Sequence, residues 1–236
     1  MTVGPIFPPL LTGVACEPGI DPFDKALMLA ARGCDAGTIT YSITENLLAA
    51  GFVFAPDVEL SKSLAMLPLC GVGFQNALGA LAPPEVAVHL EWSGQIRINA
   101  AKCGNLQVAA SGKQSNEIPD WLVVGLTVPL WMDNDAPGKT PDATSLFEEG
   151  CADVEPLRLL ESWARHCLVW INTWEAQGAE PLHREWRGLA FNIGSDITHK
   201  GVHGNFMGVD ENFGLLLRAA DTTHLFPLTD LLKDTK

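Results

Sequence analysis

Positive charge is scarce in this chain. Its 236 residues include 15 Lys and Arg against 28 Asp and Glu, which gives a formal net charge of −13. No long basic run offers a surface for phosphate groups, so the composition argues against a nucleic-acid-binding protein. The acidity fits a soluble cytoplasmic protein and gives no positive indication of a partner.

Long apolar runs and paired cysteines are also missing. No apolar run reaches about 18 residues, so we expect no membrane span. The six cysteines are scattered and form no Cys-x-x-Cys pair, which argues against a zinc ribbon and favours small buried side chains in a reducing compartment. The first residues, 1–11, lack a basic region and contain prolines, so a signal peptide is not expected.

The composition is typical of a globular protein. Patterns typical of helices and of strands follow one another along the chain. Hydrophobic residues make up 47% and charged residues 18% of the chain, which is enough apolar material for a sizeable core. Apolar residues at helical spacing predict helices over 22–33, 64–81, 154–174 and around 183–186, with Ser61 as a helix cap. β-Branched and alternating stretches predict strands at 38–43, 47–55, 86–92, 96–98, 103–109 and 121–130.

From residue 188 the pattern changes to short strands separated by glycines. These predicted strands cover 189–193, 205–209, 214–218 and 223–227. The sequence therefore predicts an α+β fold with a mixed or antiparallel sheet backed by helices. We expect two domains, a core over residues 1–187 and a small β domain over residues 188–236.

The segment 91–106 is the most informative part of the chain. It predicts a strand, a tight turn containing Trp92 and a second strand with Lys102 at its start. This segment resembles the central motif of biotin protein ligases, in which a Lys-Trp-Pro-Asn-Asp turn is followed by a β-hairpin ending in Lys-x-Gly/Ala-Gly-Ile-Leu. Trp92, the spacing and Lys102 match that motif.

Four further segments resemble the same family in the same order. Residues 78–92 resemble the helix end and strand that lead into the family's central motif. Residues 121–130 occupy the place of the strand with the family's Gly-x-Gly-x-Asn, and residues 157–187 resemble its long helix and Trp-Arg step. Residues 204–217 resemble the hairpin of its C-terminal SH3-like module. The resemblance spans about residues 20–235 and implies a core like that of biotin ligases and class II synthetases, followed by a small SH3-like β-barrel.

The resemblance also implies a chemistry and a set of site residues. Biotin and lipoate ligases make an acyl-adenylate from a carboxylic acid and ATP, with Mg²⁺, and pass the acyl group to a lysine of a biotinyl or lipoyl carrier protein. By position, Lys102 is the expected catalytic residue, and the expected ligand-binding residues are Trp92, Gln95, Gly104 and Asn105. No metal-binding residue is expected.

Several positions depart from the family pattern. The Gly-Arg-Gly-Arg-x-Gly-Arg loop that covers the adenylate is absent from residues 41–51. Losing one charge-stabilising donor costs about 10²–10³ in rate, so losing most of them would leave little conventional adenylation. The replacements are Glu91 for lysine, Gly94 and Gln95 for Asn-Asp, Asn105 for glycine, and Thr127 and Pro129 for the second glycine and the asparagine.

The leading hypothesis is therefore a ligase-like protein that keeps a cleft for a small carboxylic acid or acyl group and has lost ATP-dependent adenylation. A lipoyl-transferase-like activity would need no ATP. One alternative is a non-enzymatic binding or regulatory partner of an acyl carrier or a biotin-dependent protein. Another is an active ligase or acyltransferase with nucleotide contacts rebuilt from Arg97 or from the loop 111–119.

Each candidate residue also has an ordinary structural explanation. Lys102 would be a solvated lysine, Trp92 a core side chain and Gln95 a turn residue. Cys103 lies beside Lys102, and a neighbouring lysine would lower the pKa of the thiol and make it a nucleophile. A core strand cysteine is the simpler interpretation. His199 and His203 flank a turn and lack enough neighbouring ligands for a metal. The acidic residues Asp133, Asp135, Asp142, Glu148 and Glu149 are expected to form a solvated loop.

Overall fold

The computed structural model describes residues 4–132 and 142–234. Its larger sheet has seven strands, which are β1 (Thr12–Ala15), β2 (Thr38–Ile43), β3 (Leu47–Phe54), β4 (Val88–Leu90), β5 (Gln95–Ile98), β6 (Ala101–Ala110) and β7 (Leu122–Pro129). They lie in the order β1-β2-β3-β7-β6-β5-β4. The β1–β2 pair is parallel and the other pairs are antiparallel. The sheet is therefore mixed.

Helices cover both faces of this sheet. They are α1 (Pro22–Ala31), α2 (Leu60–Ser63), α3 (Met66–Gly79), α4 (Pro156–Gln177) and α5 (Glu180–Leu189). On one face, Trp163 of α4 is fully buried, donates a hydrogen bond from Nε1 to Cys70 O of α3 at 3.0 Å and meets Phe52 edge-on. α1 covers part of the other face. Among the described residues, no helix is both long and apolar enough to cross a membrane.

The C-terminal segment forms a second, four-stranded sheet. Its strands are β8 (Asp196–His199), β9 (Val202–Val209), β10 (Leu215–Ala219) and β11 (Thr222–Phe226), arranged antiparallel in the order β11-β10-β9-β8. Phe206, Phe213 and Leu215 are buried in the same hydrophobic core as the large sheet. The two sheets therefore share packing, which supports both.

The structure confirms the predicted α+β class with a sheet backed by helices and a small β module after it. Some details differ. The strand predicted at 189–193 is wrong, because α5 continues to Leu189 and Ala190 makes an isolated bridge to Leu90. Ser61 is not a cap, since the helical turn begins at Leu60 and Ser61 N donates to Ser115 O at 3.0 Å. The domain boundary at residues 187/188 stays a prediction.

Glycines allow α1 to approach the sheet closely. A Cβ on Gly125 of β7 would lie 2.6 Å from Cδ2 of Phe23, and a Cβ on Gly51 of β3 would lie 2.7 Å from Cβ of Ala26. Asp21 fixes the start of α1, because its Oδ1 accepts a hydrogen bond from Phe23 N at 2.7 Å. Both glycines therefore serve helix–sheet packing.

Replacing Gly125 with alanine should destabilise the protein by about 1–3 kcal/mol, because the new methyl group overlaps the buried Phe23 ring. Urea unfolding measures this change. Gly112→Ala is the matched control, since a Cβ there meets nothing within 4 Å. The cost of Gly125→Ala should shrink in a Phe23→Ala background; an equal cost in both backgrounds would show that the Phe23 contact is not its cause.

Candidate functional site

Four antiparallel pairings bring the motif positions together on the α1 face of the sheet. Gln95 lies opposite Asn105, Asn105 opposite Thr127, and Thr127 opposite Ala49, which pairs in turn with Ser42. Residues two apart on a strand share a face, so this row lies on the same side as Gly51 and Gly125. We call Ser42, Ala49, Thr127, Asn105 and Gln95 the polar row. Its four polar side chains are half-buried.

Lys102 lies beside the polar row. It is opposite Arg97 on β5, three positions before Asn105 on β6. Its backbone is held on both sides, because Lys102 N donates to Asp142 O at 2.7 Å and Thr144 N donates to Lys102 O at 2.9 Å. The side chain is exposed, and within the described residues its Nζ forms no ion pair. Lys102 is thus a fixed, available cation at one end of the row.

Gln95 and Gly104 have structural roles in the β5–β6 hairpin. Gln95 Nε2 donates hydrogen bonds to Gly104 O and, at 3.1 Å, to Ile96 O, across a β-bulge at Ile96/Arg97. Within residues 4–132 and 142–234, the amide oxygen of Gln95 accepts no hydrogen bond. A Cβ on Gly104 would lie 2.8 Å from Thr127 O and close to Ile96. Gly104 therefore faces away from the polar row and allows close strand packing.

Trp92 lies against the C-terminal module. It is 7% exposed, and its Nε1 donates a hydrogen bond to Phe213 O at 2.8 Å. The cavity beside it, also lined by Leu67 and Trp186, has a volume of about 20 Å³. That is room for little more than one water molecule. A ligand-stacking role for Trp92 stays a prediction, and its indole N–H is already bonded.

The charged side chains of Glu91 and Arg97 are paired with each other. Arg97 Nε donates to Glu91 Oε1 at 2.5 Å and Arg97 Nη1 donates to Ala100 O at 2.5 Å. The guanidinium also lies over the Phe191 ring, 4.4 Å from its centroid. Glu91, which stands where the family has lysine, is therefore neutralised locally. The Arg97 guanidinium is already engaged by these contacts.

The loop 111–119 lies at the far end of β6 from Lys102. It begins six residues after Asn105, about 20 Å along the strand. It is tied to α2, because Leu60 N donates to Glu117 O at 2.8 Å and Ser61 N donates to Ser115 O at 3.0 Å. This position does not cover the polar row.

Cys103 is a core residue. It is 1% exposed, and burial raises the pKa of its thiol to about 12, with Glu149, Cys151 and Glu148 adding to the shift. This agrees with the simpler interpretation of Cys103 as a core strand cysteine, and Lys102 is not among the groups that shift its pKa. Since the thiol is protonated at any ordinary pH, it is not an activated nucleophile.

The predicted acidic loop is only partly within the described residues, because Asp133 and Asp135 lie outside them. Glu149 accepts hydrogen bonds from Asn99 Nδ2 at 2.7 Å and from Thr144 Oγ1 at 2.6 Å.

His199 packs edge-on against both Trp92 and Phe226. Within residues 4–132 and 142–234, no cluster of three potential metal ligands occurs.

Comparisons with known proteins identify the relatives of this chain. The model of the biotin/lipoate A/B protein ligase family matches residues 7–188. The chain belongs to this family. Residues 193–234 match a family described as a domain of unknown function, DUF4444. A biotin–[acetyl-CoA-carboxylase] ligase from Paracoccus denitrificans is 25% identical over 171 residues, which cover 69% of this chain and 70% of that protein.

Solved structures confirm the fold. A biotin protein ligase-like protein of unknown function from Silicibacter sp. TM1040 is 58% identical, with a TM-score of 0.93 over 98% of this chain and 100% of that one. Biotin protein ligase from Aquifex aeolicus, in complex with biotin and ATP, is 15% identical, with a TM-score of 0.71 over 91% of this chain and 95% of that one. This chain is thus a divergent family member with the biotin ligase fold.

The motifs alone did not identify Ser42 and Ala49 as members of the row. Both come from the β2–β3 hairpin, which the sequence predicts correctly as an antiparallel pair. Only the register across β7 places them beside Thr127. Strand register, and not motif similarity, is the signal that finds them.

In native protein, iodoacetamide at about pH 8 should leave Cys103 unmodified, because its thiol is buried and protonated. The half-buried Cys34 should react first, and peptide mass spectrometry identifies each modified site. In urea, all cysteines should react. Fast labelling of native Cys103 would contradict its assignment to the core.

Proposed function

We propose that this protein binds a small carboxylic acid or acyl group on the polar row and does not activate it by conventional ATP-dependent adenylation. Lys102 supplies the cation that meets the ligand's carboxylate or carbonyl oxygen. One observation carries the proposal: three motif positions, occupied by the neutral side chains of Gln95, Asn105 and Thr127, meet on one face of the sheet with Lys102 beside them.

The charge distribution argues against a nucleotide at this site. Adenylation needs cations around the phosphates and usually an acid to hold Mg²⁺. Gln95 stands where the family has that acid, and its amide nitrogen is bonded to Gly104 O. Arg97 is paired with Glu91. Within the described residues, Lys102 is then the cation that remains beside the row. One ammonium group is not enough to neutralise the charge of a triphosphate.

The shape of the row argues in the same direction. Asn105 and Thr127 place side chains where the family has glycines, and Thr127 Oγ1 lies 3.4 Å from Asn105 O. Phe23 covers Gly125 in the next row. These side chains make the site shallower, so a slender acyl chain fits better than an adenylate.

Acyl transfer remains feasible for such a site if the acyl group arrives as a thioester. The C–S bond then breaks as a C–N bond forms to a lysine amine, and the leaving thiolate takes up the amine proton. The proposed donor is a carrier protein that holds the acyl group as a thioester, and the proposed acceptor is a biotinyl or lipoyl carrier protein with a free lysine. The six free cysteines support a reducing compartment, and we propose the cytoplasm.

A second candidate function is a non-enzymatic binding partner or regulator of an acyl carrier. The filled surroundings of Trp92 and the side chains of Asn105 and Thr127 favour it, because they reduce the room for a small ligand. An active ligase with rebuilt nucleotide contacts has weaker support. Arg97 is engaged and the loop 111–119 is distant from the row.

A thermal-shift screen with biotin, lipoate, octanoate and their adenylates tests the proposal. A ligand at 100 times its Kd should add about 2.7 kcal/mol of stability, which raises the Tm measurably. Lys102→Ala should abolish the shift, because the ligand's only cationic contact is lost. Lys113→Ala is the matched control, since Lys113 is also an exposed lysine but pairs with Asp234 at the far end of β6.

An equal shift in wild type and Lys102→Ala would remove Lys102 from the site. No shift with any of these ligands would favour the non-enzymatic candidate. ATP-dependent release of pyrophosphate in the presence of biotin or lipoate would overturn the claim that adenylation is lost, so both parts of the proposal can fail separately.

A further inference from the structure

A long groove lies on the helical side of the molecule, on the opposite side of the sheet from the polar row. It consists of two adjoining depressions with volumes of about 300 and 760 Å³. Both are lined by Asp57, Val58, Trp174 and Glu175. The groove extends from Leu10 at one end to Glu211 at the other. We call it the acidic groove.

The smaller depression has an apolar floor. Phe52, Met66 and Ile171 line it, and Trp174 stands half-buried where the two depressions meet. Leu10 at the open end has 83% of its side chain exposed and a φ of 78°. That backbone conformation is unfavourable for leucine. Leu10 therefore adds an exposed apolar side chain to the open end of the apolar depression.

The walls of the groove are acidic. Asp57, Glu175 and Glu211 are exposed, and in the described part of the chain none of them forms an ion pair. Lys62 is the one cation among the groove's lining residues. Three carboxylates facing one lysine in a chain of net charge −13 create a negative potential that attracts a cationic partner.

We propose that the acidic groove binds a cationic segment of a partner polypeptide. One apolar side chain of the segment enters the smaller depression, and its Lys or Arg side chains contact Asp57, Glu175 and Glu211. The open, elongated form suits a chain segment better than a compact metabolite. Trp174 offers a large contact surface and a ring face for an arginine, and its Nε1 has no hydrogen-bond partner within the described residues.

This proposal is independent of the ligand proposed for the polar row. The two surfaces lie on opposite faces of the sheet and share no residue. Failure of either proposal therefore leaves the other standing.

Selection from a random displayed peptide library against the intact protein provides a probe for the groove. The selected peptides should carry an excess of Lys and Arg next to a large apolar residue. Their affinity, measured by fluorescence anisotropy with synthetic copies, should fall as salt rises from about 50 to 500 mM, because the rim charges are exposed. Peptides without excess positive charge, or no selected peptides, would overturn the proposal.

Two sets of neutralising substitutions locate the binding surface. The triple variant Asp57→Asn, Glu175→Gln, Glu211→Gln should weaken peptide binding about tenfold or more, from three lost surface ion pairs. The matched control Glu17→Gln, Glu85→Gln, Asp221→Asn removes the same charge from exposed positions outside the groove. If both triple variants lose the same peptide affinity, the effect comes from the net charge of the protein, and the acidic groove is not the binding site.

A second copy of this chain is the competing occupant. If the groove binds another copy, the wild-type protein should dimerise as its concentration rises, and the triple variant should change that equilibrium. Sedimentation of both proteins decides this point. Dimerisation through the groove would replace the cationic segment as its occupant.

Discussion

The register of β5, β6, β7 and β3 is the constraint on which the rest of the site depends. A slip of one residue in any of these pairings would turn the polar row to the opposite face of the sheet. The register is held by the buried face, where Ile96, Leu106 and Leu126 pack into the main core. Apolar packing on the helical side therefore determines which polar groups can meet a ligand on the other side. The same alternation brings Gly51 and Gly125 under α1 and lets that helix cover half of the face.

The residues that replace the family's charged groups in the central motif are held by contacts within the same region. Replacing the family's lysine with Glu91 would leave an unpaired acid, but Arg97 pairs with it and packs over Phe191. Replacing the family's acid with Gln95 removes a metal ligand, and its amide instead closes the bulged hairpin. Glu91 and Gln95 each have a hydrogen-bond partner within the hairpin or beside it, so both replacements fit the hairpin. The charges at the motif positions therefore differ from the family pattern, whereas the fold is kept.

Much of this arrangement could be predicted from sequence, and the misses have physical reasons. The helices and most strands follow from apolar periodicity, and the motif spacing correctly places Lys102 near Gln95 and Asn105. Gly104 faces away from the row because it directly precedes Asn105 and successive residues of a strand point to opposite faces. Lys102, three residues before Asn105, shares the face of the row because a bulge at Ile96/Arg97 interrupts this alternation, and no local sequence pattern predicts that bulge. The partner of Trp92 is Phe213, 121 residues later, so its burial depends on how the C-terminal module packs. β1 was missed because its short, exposed strand has little apolar signal and exists by pairing with β2.

The two proposed surfaces meet structurally through β3. Ala49 of this strand belongs to the polar row, whereas Phe52 lines the acidic groove on the other face. Phe52 is almost fully buried and packs against Phe54 and Trp163, so this strand is held rigidly between the two surfaces. A rigid strand has no second arrangement for either ligand to select, and coupling between sites requires such an arrangement. A bound acyl group and a bound partner segment should therefore coexist with little effect on each other's affinity.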